Sequence, residues 1–106
     1  METTLNQMKL LEKYLDKNQS NIDDVFANSV MKLFHREINK NNDLVEKLKN
    51  QLESFESTYK IDSDKFYIQY NNGELGDEIN FVEWASTYEM FENAKKNLEI
   101  LQNLSV

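Results

Sequence analysis

The sequence predicts an all-α fold: an elongated helical hairpin or bundle built on a long coiled-coil-like helix, a short helix, a glycine turn and a C-terminal helix, with two copies pairing as a dimer. Three observations carry this. The 106 residues include no proline and two glycines. An interior proline costs a helix about 3 kcal/mol and a glycine about 1, so the composition favours long uninterrupted helices. Apolar residues recur at steps of three and four along most of the chain. Strand-like alternation of any useful length is absent. The length fits a single domain, 1–106.

The first helix spans 3–17, where Leu5, Met8, Leu11 and Leu15 form a stripe that Leu10 and Tyr14 widen. The polar run 17–21 interrupts it. Ser20 or Asn21 can cap the next helix, with Asp23 and Asp24 at the positive end of its dipole. That helix runs over 22–60. From Phe34 it carries a heptad seam: Phe34, Ile38, Asn41, Val45, Leu48, Leu52, Phe55 and Tyr59. Upstream, Ile22, Phe26, Val30 and Leu33 form a neighbouring stripe, so the buried face shifts near 33–34. Asn41 is either a register-fixing polar residue in the seam or a solvent-facing slip. At 1.5 Å per residue the helix is roughly 58 Å long, far beyond the radius of about 13 Å of a compact domain this size. The seam from Phe34 to Phe55 therefore predicts dimerisation through the long helices.

Asp62 or Ser63 can cap a short helix over 63–72, with Phe66, Tyr67 and Tyr70 on one face. Gly73 suits the left-handed position that ends it. Gly73 and Gly76 together allow a sharp reversal, with Leu75 tucked inward. The last helix, 78–103, starts with Asp77 or Asn80 as cap, Asn80 and Glu83 having capping-box spacing. Phe81, Trp84, Ala85, Tyr88, Phe91, Leu98 and Leu101 line one face.

The net charge is −7 and unevenly spread. Residues 1–60 carry nine Lys or Arg against ten Asp or Glu, and residues 61–106 carry three against nine. An acidic half argues against contact with nucleic-acid phosphates and suits a basic protein partner; it equally keeps a small protein soluble. There is no cysteine, hence no disulfide or thiolate metal site. The first residues lack the layout of a signal peptide, and no apolar run nears the ~20 residues of a membrane span. The expected location is the cytoplasm.

No catalytic residues are expected. His35 is the single histidine and has no partner at helical spacing. Glu74, Asp77, Glu78 and Glu83 cluster, but without the ligand spacing of a calcium loop, so capping and solvation account for them and no metal is assigned. Gly73 and Gly76 follow no strand and precede no lysine at phosphate-loop spacing, so no phosphate cradle and no cofactor are expected. The aromatics Phe66, Tyr67, Tyr70, Phe81, Trp84 and Tyr88 form a small core if the short helix folds back on the last one. Tyr67, Tyr70 and Trp84, left part-exposed at its rim, are then the residues that reach a partner.

The segment from Phe55 onward resembles a family of small prokaryotic helical proteins, described either as uncharacterised or, provisionally, as antitoxin components of toxin–antitoxin pairs. The residues that carry the resemblance are Phe55-Glu56-Ser57-Thr58-Tyr59, the run Ser63 to Tyr67, the Gly73-Glu74-Leu75-Gly76-Asp77 turn, and Phe81-Val82-Glu83-Trp84 through Tyr88. Two positions depart from the pattern: Lys60 stands where a glycine commonly follows, and Asn80 where an aspartate commonly precedes the aromatic. The resemblance implies an antitoxin-like partner that occludes a cognate toxin or nuclease. The expected protein-binding residues are Tyr67, Tyr70, Leu75, Asp77, Glu78, Trp84 and Tyr88. Two other readings stand beside it: a structural coiled-coil dimerisation protein with no dedicated partner, and a divalent-metal enzyme using the turn carboxylates.

Overall fold

The computed structural model describes residues 2–104. Among them the fold is all-α: α1 (Glu2–Lys17), a short 3₁₀ turn (Gln19–Asn21), α2 (Asp24–Tyr59), α3 (Ser63–Asn71) and α4 (Ile79–Leu104). No helix among the described residues is long and apolar enough to cross a membrane. The chain divides into two compact units at Leu33/Phe34. The change of face expected there does not occur: Phe26, Val30, Phe34 and Ile38 are half-buried at steps of four, and Leu33 is 59 % exposed.

In the first unit Asn18 closes α1, its backbone N–H and its side-chain amide both donating to the Tyr14 carbonyl. The cap of α2 is Asp23, whose Oδ1 accepts from the Phe26 N–H at 2.8 Å. Ser20 and Asn21 do not cap it because both lie in the 3₁₀ turn that precedes it. The α1 stripe of Leu5, Met8, Leu10, Leu11 and Tyr14 is exposed.

The second unit is a helical hairpin. Ring contacts pair Phe55 with Trp84 and Tyr59 with Phe81. Further along the same helices, Glu37 and Asn41 share a shallow groove with Asn97, Ile100 and Leu101. Numbers that fall along α2 meet numbers that rise along α4, so the two helices run antiparallel. The inner face of α4 is itself a seam of Trp84, Thr87, Phe91, Ala94, Leu98 and Leu101, at steps of 3, 4, 3, 4 and 3.

This corrects the expectation for α2. Leu48 and Leu52 are only 3 and 4 % exposed within one chain, and Phe55 stacks on Trp84. These three are used inside the hairpin and are not open to a second copy. Phe34, Ile38, Asn41 and Val45 are half-buried. Asn41 donates its side-chain amide to the Glu37 carbonyl of its own turn at 2.8 Å, which satisfies it without any partner helix.

The corner between α2 and α3 is tied by side chains. Lys60 takes a left-handed conformation (φ 60°) that reverses the chain. Asp62 holds the N-cap position of α3 but makes no side-chain cap bond. The orphan Ser63 N–H instead donates to Glu56 Oε2 at 2.8 Å, reaching back to the last turn of α2. At the other end of α3, Gly73 (φ 75°) donates to the Tyr70 carbonyl and Glu74 to the Gln69 carbonyl. That is the double bond pattern of a Schellman cap. Gly76 has no positive φ, so a single glycine makes the turn. α4 begins at Ile79, after a residue whose carbonyl accepts from Phe81 and Val82. Asn80 thus lies inside the helix and does not cap it; its amide donates to the Tyr59 hydroxyl at 3.1 Å.

Candidate functional site

The aromatic cluster forms at the elbow where α2, α3 and the start of α4 meet. Trp84 is 0 % exposed and lies almost parallel to Phe66, their ring centroids 3.8 Å apart. Phe55 and Tyr59 also stack on it, at 5.4 and 5.5 Å. An indole buried this way must place its one donor. Nε1–H donates to Ser63 Oγ at 2.9 Å, and Ser63 is itself buried. Glu56, Ser63 and Trp84 therefore form a chain of hydrogen bonds linking α2, α3 and α4.

Three of the seven expected partner-facing residues, Trp84, Tyr70 and Leu75, belong to the core by this geometry. Trp84 cannot reach a partner: it is fully enclosed because three rings and Ser63 surround it. Tyr70 is half-buried, stacked on Phe66 at 5.6 Å. Leu75 packs inward on the cluster, as expected. Asp77 and Glu78 are exposed on the turn before α4. Tyr67 and Tyr88 remain at the surface, half-buried, their ring centroids 4.8 Å apart. Tyr67 donates its hydroxyl to Glu89 Oε1 at 2.6 Å. That hydrogen bond, more than any other influence, pushes the Tyr67 hydroxyl above its ordinary pKa. Tyr88 is pushed up as well, first by burial and then by the charge of Glu92.

The two tyrosines stand beside an acidic groove. Its walls are Glu53 and Glu56 from α2, Asp62 and Asp64 at the start of α3, and Tyr88, Phe91 and Glu92 from α4, with Leu52 and Ser63 at its floor. Five carboxylates face one ammonium, that of Lys49. A second groove continues from it past Tyr88 and Glu92 to Tyr67, Glu89, Asn93 and Lys96. Among the described residues the only ion pair is Lys95 with Glu92, at 3.2 Å, so most of the groove's negative charge is uncompensated. No group of three or more His, Asp or Glu among the described residues is arranged to hold a metal ion.

Of the rim expected at Tyr67, Tyr70 and Trp84, only Tyr67 stands at the surface, and the α2 wall was missed. Glu53 and Glu56 flank the seam residues Leu52 and Phe55, a border position on any helix hairpin. Once α4 is known to be their neighbour, the two carboxylates fall beside Glu92. The seam of Thr87 and Ala94 on α4 was the available signal for that pairing.

No protein-family model, no curated protein and no solved structure matches this chain.

Proposed function

We propose that this chain is a non-enzymatic protein-binding module of the cytoplasm that takes a basic segment of another protein into the acidic groove. The partner class it suits is a cognate toxin or nuclease whose basic substrate-binding face the module covers, as the resemblance to antitoxin components implies. The observation that carries the reading is the groove itself. Five carboxylates from three helices converge there against the single ammonium of Lys49 and the Lys95–Glu92 ion pair, next to two part-exposed tyrosines on a rigid aromatic core. Uncompensated charge speeds and orients encounter with an opposite charge, and a tyrosine on a fixed platform contributes contact area at little entropic cost. Occlusion requires no chemistry from the module.

The test is association with the product of the neighbouring gene, followed by co-purification and titration. Glu53→Lys together with Asp64→Lys is expected to weaken binding by roughly tenfold or more, with a steep dependence of the wild-type affinity on salt. Both positions are exposed, so the melting temperature should hold. A chain that never associates with that product, and whose gene does not relieve its toxicity, sinks the proposal. Binding that survives both charge reversals would place the interface elsewhere.

A further inference from the structure

α4 carries a second apolar stripe beside the face it buries, and toward its C-terminal end the two share a border, where Asn97 and Ile100 line the shallow groove with Glu37 and Asn41 of α2. The inner face meets α2 and α3. On the outer face Ile79, Val82, Met90, Ile100 and Leu104 are between 46 and 74 % exposed. Ser86, Asn93 and Asn97, also exposed, complete the same stripe. The eight positions advance by 3, 4, 4, 3, 4, 3 and 4 residues, a near-heptad seam over the whole helix, and none of them is charged. On a helix that packs on only one side, this face is where the charges belong.

We infer that this outer face is a homodimer interface in which α4 packs antiparallel on α4 of a second copy, about a two-fold axis level with Phe91 and Glu92. The proposal does not depend on the acidic groove binding a basic partner. The sequence of the seam is nearly a mirror of itself. In the antiparallel arrangement Ile79 meets Leu104, Val82 meets Ile100, Ser86 meets Asn97 and Met90 meets Asn93. Apolar ends find apolar ends, and the polar pair can exchange hydrogen bonds.

Charge complementarity selects the same arrangement. Glu89 and Lys96 lie seven residues apart on one border of the seam. Antiparallel helices bring like borders together, so Glu89 of each copy stands beside Lys96 of the other, twice per dimer. Parallel helices would set Lys96 against the opposite border, where no acid is near. Glu89 Oε1 accepts from Tyr67, and its second oxygen is free to meet an ammonium. Opposed helix dipoles add to the preference. Five half-exposed apolar side chains per copy, with their borders, amount to about 1,000 Å² of buried surface in total, the lower bound for a specific interface. The dimer should therefore be reversible.

Sedimentation of the full chain over a micromolar concentration range tests this. A monomer–dimer equilibrium is expected, and Val82→Glu with Ile100→Glu should weaken it at least about tenfold. Both side chains are exposed, so the melting curve of the monomer should be unchanged. A monomer at all concentrations overturns the proposal, as does a dimer that survives this change and dissociates on Leu11→Glu in α1. Orientation is read by disulfide trapping, since the chain has no cysteine. Mixing S86C with N97C should give a crosslinked heterodimer, and S86C alone should give none. Crosslinking of S86C to itself would mean a parallel pair and overturn the assignment.

Discussion

Ser63 bears more of the fold than its size suggests. It is buried, its N–H is held by Glu56, and its hydroxyl accepts from the Trp84 indole. Ser63→Ala leaves the indole N–H without a partner inside an aromatic core. A buried unsatisfied donor costs about 1–3 kcal/mol, so urea unfolding should show a loss in that range with no change in helix content. A loss below about 0.5 kcal/mol, the size of an ordinary surface change, would show that the hydrogen bond does not matter. Composition singled out Trp84 because it is the one tryptophan in the chain. Its role could not be read there. Aromatic residues at helical spacing serve a core and a binding rim alike, and only the positions of Phe55, Phe66 and Ser63 around the ring separate the two.

At the scale of elements, the helices and the Gly73 end of α3 were legible almost to the residue, and the side-chain bonds that cap the helix N-termini were not. Periodicity is a property of ten or more residues and survives any local detail. A cap is one hydrogen bond, and nearby polar residues compete for it. Asp23 took the role expected of Ser20 or Asn21, and Glu56 supplied from seven residues upstream the bond expected of Asp62 or Ser63. The glycines divide in the same way. Gly73 is in the left-handed region, with nothing within 4 Å of the place a Cβ would occupy, and Gly76 is not in that region. Gly73→Ala should therefore cost about 1 kcal/mol from backbone conformation alone. Gly76→Ala should lie within about 0.5 kcal/mol of wild type. Equal costs at the two sites, measured by chemical denaturation, would contradict the geometry of the turn.

For the molecule as a whole, the core of Leu52, Phe66, Trp84 and Ala85 and every ring packed around it belong to residues 34–106. A fragment of those residues should keep the near-ultraviolet circular dichroism of the stacked Trp84. A featureless spectrum would show that the first 33 residues are needed to form the core. Chain periodicity and the lack of proline determined by themselves that this protein is all-helical and where its helices lie, because those follow from local backbone preference and from the spacing of apolar side chains. Which helix fills the seam of α2 was decided only by tertiary structure. A heptad stripe asks for a complementary stripe and is indifferent to whether the same chain or another provides it. The length of the α3 elbow and the small Ala94 let α4 fold back and fill it. That one choice buried Trp84, brought Glu53 and Glu56 beside Asp64 and Glu92, and left the outer face of α4 uncovered.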